Sequence, residues 1–280
     1  MYVEHLHLRR SFAFFRSVGS HEPHDLHVHD CLEVGVLLKN TLMYRFGDKT
    51  YRGEPGDVFL CRPFEPHWSY AEPNRPFESI ILLFTPGIAR KFPDGSRLLA
   101  PFYTNKGVLP VIRAETSHAK AIKHAACQAM TAQEEEEPAW QTRQYKCLID
   151  ILLHVHEWAA ESQGTESVVL AEIAEAVGLM LEDFRRPQDI DGLAKRAGMG
   201  RTLFFEEFRV LTGLTPSVFL TRLRLQYAMD LLRTTNETVL EIAGESGFQS
   251  LSTFNKQFKR YTGDSPRTYR QQQKAGPSRD

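Results

Sequence analysis

The feature that most constrains this chain is an internal repeat. One copy runs LAKRAGMGRTLFFEEFRVLTGLTP from Leu193 to Pro216, and the other runs IAGESGFQSLSTFNKQFKRYTGDSP from Ile242 to Pro266. Ala194 and Gly198 recur as Ala243 and Gly247 at an offset of 49. Phe204, Phe208, Thr212, Gly213 and Pro216 recur as Phe254, Phe258, Thr262, Gly263 and Pro266 at an offset of 50. The one inserted residue therefore falls between Gly247 and Phe254 and lengthens a turn.

Each copy spells out two short helices. The small Ala lets the first helix pack closely on the second, and the Gly four residues later ends it where a left-handed backbone is needed. A polar stretch opens a second helix, whose two Phe at i and i+4 share one face. Thr-Gly closes that helix, and Pro starts the next at a position that tolerates it. This is the plan of a helix-turn-helix, in which the second helix enters the DNA major groove. Two units alone would make a poor solenoid. Charge agrees with DNA: residues 1–182 carry a net charge of −6 and residues 183–274 a net charge of +5, behind a total of −1.

From about Val168 to Arg270 the chain resembles the DNA-binding domain of the AraC/XylS (arabinose-regulator) family. The resemblance rests on LEIAGESGFQSLSTFNKQFKRYTGDSPRTYR and on the linking segment PSVFLTRLRLQYAMDLLRTTNETVLEIA. In that segment Arg222, Arg224, Ala228, Leu231 and Leu232 stand where the family carries its long connecting helix. The resemblance implies a sequence-specific transcription regulator, an activator, with an operator in double-stranded DNA and RNA polymerase as partners. A helix from Pro216 to Leu232 would span roughly 25 Å at 1.5 Å per residue. It would hold two recognition helices about one DNA turn apart, roughly 34 Å.

With Phe254 and Phe258 taken by the core, the second recognition helix offers Ser252, Asn255, Lys256, Lys259 and Arg260 to DNA. Ser, Asn and Lys donate to base edges, and Lys259 or Arg260 suits a phosphate. The first offers Arg201, Thr202, Phe205, Glu206 and Arg209. Where this chain has Glu206 the family usually carries Arg or Lys, so no guanine contact is carried over there. Glu206 can accept from a cytosine amino group or cap charge on a solvated face, and Phe205 fits a thymine methyl.

The front of the chain reads differently. Short apolar runs (Leu32–Leu38, Val58–Leu60, Ser79–Phe84) are separated by Lys39-Asn40, Phe46-Gly47-Asp48, Pro55-Gly56-Asp57 and Pro73-Asn74-Arg75-Pro76. That pattern predicts a sandwich or barrel over residues 1–112. Residues 115–134 and 138–160 carry apolar residues at helical spacing (Ile122, Ala126, Ala129; Tyr145, Ile149, Leu152, Leu153, His156). The run Glu134–Glu137 before Pro138 reads as a solvated turn between two helices. This helical hairpin, within residues 113–165, is expected to form a homodimer or to pack on the β domain. Gln163-Gly164-Thr165 reads as a linker, followed by the double helix-turn-helix domain over 166–280. The fold class is α+β multidomain: a cupin-like β-barrel, a helical hairpin and an all-α C-terminal domain.

A second constellation lies in the barrel. His27 and His29 are two apart, so they face the same way on a strand; Glu33 follows, and His67 arrives after Pro55-Gly56-Asp57. Imidazoles with a carboxylate suit divalent zinc, iron, nickel or manganese. The pattern resembles the two motifs of the cupin barrel, a ligand domain that this regulator family commonly carries. In the regulators similar His and Glu residues often line an organic effector's pocket without metal. A small effector, a sugar or an aromatic acid, is therefore expected at His27, His29, Glu33 and His67, with Arg45, Trp68 and Tyr70 as further linings. His21 and His24 read as loop residues and His5 and His7 as surface residues.

Cys31, Cys61, Cys127 and Cys147 form no CxxC pair, which argues against a disulfide framework and a cysteine zinc site. No apolar run approaches the ~20 residues of a membrane span. The N-terminus lacks the order of a signal peptide, so the expected location is the cytoplasm. The alternative to a regulator is a cupin metalloenzyme, an oxygenase or isomerase, fused to a DNA-binding domain. It explains the histidines but gives the C-terminal repeat no purpose, and the chain is read as a non-enzyme.

Overall fold

The computed structural model describes residues 2–3, 11–19, 27–29, 31–63, 65–72, 74–104, 110–162 and 168–275. His5, His7, His21, His24 and the Gln163-Gly164-Thr165 linker lie outside the described residues. The strands are β1 (Tyr2–Val3), β2 (Phe12–Gly19), β3 (His27–Val28), β4 (Leu32–Lys39), β5 (Leu42–Phe46), β6 (Lys49–Gly53), β7 (Val58–Cys61), β8 (His67–Ala71), β9 (Phe77–Phe84) and β10 (Val111–Ile112). The helices are α1 (Gly95–Leu98), α2 (Ser117–Glu134), α3 (Trp140–Ser162), α4 (Val168–Asp183), α5 (Ile190–Arg196), α6 (Arg201–Thr212), α7 (Pro216–Thr234), α8 (Val239–Glu245), α9 (Leu251–Thr262) and α10 (Pro266–Ala275). No helix of the described residues is long and apolar enough to cross a membrane.

The chain forms two compact units. In the first, the strands make two five-stranded sheets in the orders β1-β3-β8-β5-β6 and β10-β7-β4-β9-β2. The predicted breaks are turns: Asn40 and Gly47 both take positive φ, 58° and 53°, between β4, β5 and β6. All of Leu32–Leu37 is buried, because β4 has cover on both faces. Its odd-numbered residues face a cavity, and α2 packs against the other side of the sheet. Helices α2 and α3 form the expected hairpin, and the Glu run makes its turn, with Glu136 and Ala139 at positive φ. Arg16 pairs with Glu134 at 2.7 Å, and the Phe12 ring lies 5.9 Å from Tyr145, so the hairpin is fastened to β2. Ile122, Ala126, Ala129 and Leu152 are buried. The apolar stripe is largely spent inside this unit, and Leu153 is left exposed.

The second unit holds α4 to α10 together with residues 85–104. Composition placed that segment with the β domain; the structure places it with the helices. Two 3-10 turns, at Pro86–Lys91 and Ala100–Phe102, and α1 bury Ile88, Leu98, Leu99 and Phe102 while packing on α4 and α7. Tyr103, buried, donates its hydroxyl to Gln226 of α7 at 3.1 Å, and Thr85 donates to Asp230 of α7 at 2.9 Å. Polar groups this deep stay only where they are paired.

Both repeat copies fold alike. Helix pairs α5–α6 and α8–α9 are joined by residues 197–200 and 246–250, so the extra residue sits in the second turn. Gly198 and Gly247 take φ of 65° and 85°; at Gly247 a Cβ would meet the Arg185 carbonyl oxygen at 2.3 Å. Phe204, Phe208, Phe254 and Phe258 are fully buried. Thr212 and Thr262 each donate back to the Phe four residues earlier, at 2.8 and 2.9 Å. Each hydroxyl also accepts from the amide two residues on, at 3.2 Å in both copies. These bonds satisfy polar groups at the helix end that the helix itself leaves open.

Candidate ligand pocket and nucleic-acid interface

The first unit encloses a cavity of about 370 Å³. Strand parity decides what lines it, since alternate side chains face opposite sides of a sheet. In β4, Glu33, Gly35 and Leu37 face inward; the register pairs Glu33 with Cys61 and Leu83, and Gly35 with Phe59 and Ile81. From the other sheet, Phe46 pairs with His67 and Tyr44 with Ser69. Parity also corrects two expectations. Arg45 and Tyr70 alternate to the outer face; Arg45 is exposed and donates to the Gly47 carbonyl at 2.9 Å, and neither residue lines the cavity. Trp68 stands on the same side of β8 as Tyr70 and opposite Arg45 in the register, yet it reaches the cavity, its ring edge-on to that of His27 at 5.7 Å.

His27, His29, Glu33 and His67 come together as the sequence predicts. His27 pairs with His67 across β3 and β8, their rings 4.4 Å apart, and the ring of His29 lies 4.8 Å from that of His67. Nδ1 of His29 lies 3.0 Å from the Cys31 carbonyl and Nδ1 of His67 lies 2.7 Å from the Glu65 carbonyl. A carbonyl only accepts, so each Nδ1 carries the proton. The Nε2 atoms then face Oε2 of Glu33, at 3.1 and 3.7 Å. The second distance is too long for a hydrogen bond, and His67 Nε2 is buried without one. The other Glu33 oxygen accepts from Tyr44 at 2.8 Å.

Electrostatics follow from this packing. Burial alone would raise the Glu33 pKa, but the two histidines outweigh it and hold the group well below the usual carboxylate range. Burial opposes charge on His67, yet the Glu33 carboxylate lifts its pKa above the ordinary imidazole value. His27 is lowered to about 4, first by burial and then by the charges of His67 and His29. Without a metal, a proton must stand between the Nε2 atoms and Glu33. A divalent ion fits the same place, because both rings already have Nδ1–H anchored on backbone oxygen and Nε2 turned toward a carboxylate. His27, His29 and His67 also offer nitrogens within 4.8 Å of one another.

Sequence reasoning missed Tyr44 and Cys61. Tyr44 bridges Glu33 and Cys61 Sγ, the latter at 3.0 Å. Burial and then the Glu33 charge push the Cys61 thiol well up, so it stays protonated and unreactive. The signal was parity: Tyr44 stands at an inward position of a strand bounded by Asn40 and Gly47.

On the second unit most of the side chains expected to meet DNA stand at the surface of α9 and α6. Ser252, Asn255, Lys256, Lys259 and Arg260 of α9 are exposed, as are Arg201, Thr202, Glu206 and Arg209 of α6. Phe205 is half-buried under the Arg201 guanidinium, 4.9 Å from its ring centre, and Arg201 also pairs with Asp191. The Asp191 contact, ten residues back, had no sequence signal. Ser250 caps α9 by accepting from Thr253 N at 3.2 Å. Arg224 faces away from this role: it donates to the carbonyls of Phe184 and Arg186 at 2.7 and 2.9 Å, closing the end of α4.

Comparison with known proteins agrees with both parts. Residues 193–272 match the helix-turn-helix domain family, and residues 17–145 match the AraC-like ligand binding domain family. An uncharacterized HTH-type transcriptional regulator of Haemophilus influenzae is 27% identical over 239 residues, covering 80% of each chain. The RCS-specific HTH-type transcriptional activator RclR of Escherichia coli is 34% identical over 130 residues, 45% of each chain. Among solved structures, the DNA-binding domain of AdpA in complex with a target DNA is 37% identical. It covers 39% of this chain and 98% of its own, with a TM-score of 0.37.

Proposed function

This chain belongs to the AraC family of helix-turn-helix transcriptional regulators, with a ligand-binding domain ahead of its DNA-binding domain, and from that premise we propose that a small anionic effector in the barrel cavity controls its grip on DNA. The carrying observation is the cavity, with its polar corner of His27, His29, Glu33 and His67. Away from that corner and its serines, the walls include Phe15, Leu37, Phe59, Phe77, Ile81 and Leu83. An aromatic carboxylic acid suits such walls better than a sugar, whose hydroxyls would meet hydrocarbon without partners. A zinc, iron, nickel or manganese ion held by His29, His67 and Glu33 would supply positive charge for the acid's carboxylate. The Cys31 and Glu65 carbonyls fix the two imidazole rings and the Tyr44 hydroxyl fixes the Glu33 carboxylate, so these residues would present their ligand atoms to such an ion.

In this reading the protein acts by binding and not by turnover, which is supported by relatives that are transcription regulators. We place it in the cytoplasm as an activator that contacts RNA polymerase; the activator reading is supported by the Escherichia coli relative, itself a transcriptional activator. It works as a homodimer through the outer face of α2 and α3.

The test is a melting-temperature screen of aromatic acids and sugars, with and without chelator, followed by operator titration with the hit. Coupling of ~1–3 kcal/mol predicts a roughly 5–150-fold change in DNA affinity on adding effector. His29→Ala combined with His67→Ala should abolish that change in the full-length chain while basal DNA binding persists. A double variant that responds like wild type would move the pocket elsewhere. Circular dichroism separates a lost response from a misfolded barrel.

A further inference from the structure

A second cluster of ligand-type side chains lies far from the cavity along the chain, at the open end of the α2–α3 hairpin. His118 stands in the first turn of α2, and His154, Glu157 and Glu161 follow one another along α3. The imidazole rings of His118 and His154 are 5.6 Å apart. His118 is 8% exposed, His154 is half-buried, and Glu157 and Glu161 face solvent.

Hydrogen bonding fixes the tautomer of His118. Its Nε2 lies 3.1 Å from Oε2 of Glu161, and a carboxylate accepts, so Nε2 carries the proton. In the neutral ring Nδ1 then holds a lone pair. That atom is buried with no hydrogen-bond partner, and Nδ1 of His154 is in the same position. Oε2 of Glu157 lies 3.9 Å from the first and 3.3 Å from the second. Two imidazole nitrogens and a carboxylate oxygen thus converge, and the buried Nδ1 lone pair of His118 is left without a hydrogen bond. Such an arrangement is costly unless a cation sits among them.

We propose that His118 Nδ1, His154 Nδ1 and Glu157 form a divalent transition-metal site, of zinc type, that staples the open end of the hairpin. The three ligand atoms lie within 4.8 Å of one another, a spread that small side-chain rotations close to zinc distances of about 2.0–2.2 Å. Glu161 takes the part usual beside a metal-bound imidazole: it accepts the distal N–H and fixes the ring. Two nitrogens and one oxygen leave a fourth tetrahedral position for water or a further ligand. The opposite end of the hairpin is already tied by a polar clamp, with Gln144 donating to the Ala129 carbonyl at 3.2 Å and to Gln133 at 2.7 Å. At the open end, the metal does what that clamp does near the turn.

The experiment uses the full chain, stripped with chelator and titrated with Zn²⁺ and with Co²⁺ as spectroscopic probe. His154→Ala and Glu157→Gln alter partly or fully exposed positions and leave the barrel cluster untouched. Each should lower the number of bound ions by one relative to wild type, and each should lose the part of the metal-induced rise in melting temperature that this site contributes. Counting the difference between proteins keeps the result independent of any ion in the barrel. His154→Cys retains a ligand and should add a thiolate-to-cobalt absorption band over the wild-type spectrum. Equal stoichiometry and equal melting shifts in wild type, His154→Ala and Glu157→Gln would overturn the proposal, as would a His154→Cys chain with no added band.

Discussion

Thr85 donates its hydroxyl to Asp230 at 2.9 Å, joining residues 145 apart in sequence. Thr85 follows the last residue of β9, and Asp230 lies in the helix that connects the two DNA-binding motifs. Both are buried. Oδ2 of Asp230 also sits so close to Gly87 that an added Cβ would lie 2.2 Å from it. A barrel strand therefore runs directly into a segment built on the connecting helix.

Removing this carboxylate should loosen residues 85–104 from α7. Asp230→Ala leaves the buried Thr85 hydroxyl only the longer bond to the Ser11 carbonyl, 3.3 Å, and should cost about 1 kcal/mol of stability, measured by urea unfolding. Thr85→Val takes a donor from the buried Asp230 carboxylate and should cost at least as much, and the double variant less than the sum of the two, because both remove the same bond. Additive losses would show that the pair does not act as a unit.

Acid should weaken the metal-free protein through His27. An unfolded imidazole takes up its proton near pH 6.5, whereas folded His27 waits until about 4. Between those values the unfolded chain binds more protons, so stability falls as pH drops through that window. His67, with its raised pKa, works in the opposite sense: its contribution is complete below 6.5 and is lost as pH climbs through its folded value. Glu33, held low, contributes above the usual carboxylate value and loses that contribution only in stronger acid. Urea midpoints of chelated wild type should therefore fall between pH 7 and 4.5, and His27→Gln should fall less. Parallel declines would remove His27 as the cause.

How much of this was legible in sequence depends on how local the information is. Caps, left-handed glycines and paired phenylalanines are set by neighbours a few residues away, so the helices and turns of the two motifs around Gly198 and Gly247 could be read, though not the pairing of Arg201 with Asp191. The histidine cluster was legible because His27 and His29 stand two apart, with His29 one residue past the end of β3, but its completion by Tyr44 depends on register between β5 and β8. Arg45 and Tyr70 were chosen for chemistry, and parity puts them outside. Residues 85–104 carry Ile88, Leu98, Leu99 and Phe102, which any core would accept. Only the buried partners Asp230 and Gln226, more than a hundred residues on, decide which core receives them.

That segment also determines which experiments on parts of the chain are sound. A fragment of residues 1–165 would keep residues 85–104 but lose the helices that cover Ile88, Leu98 and Phe102. The dimer should therefore be tested in the full chain. Leu153, 41% exposed on α3, is the large apolar side chain left on the hairpin's surface. Leu153→Lys should shift the protein toward monomer in sedimentation at tens of micromolar, with unchanged circular dichroism. A dimer equally stable in the variant would place the interface off this face.

The DNA surface makes a paired prediction. Lys256 and Lys259 are both exposed on α9, three positions apart and on one side of the helix whose other side buries Phe254 and Phe258. Lys256 lies in the N-terminal half of the helix, the part that contacts base edges in this class of motif, and Lys259 lies in its last turn. Lys256→Ala should weaken binding to a selected operator by ~1–3 kcal/mol and relax preference at one base position. Lys259→Ala should weaken binding to operator and unrelated DNA alike and reduce the slope of log affinity against log salt by about one, the signature of one lost phosphate contact. Anisotropy titrations of both variants at several salt concentrations measure all four quantities. If the two variants exchange these signatures, α9 lies in the groove with a different rotation; if both bind like wild type, the second motif does not carry the contact.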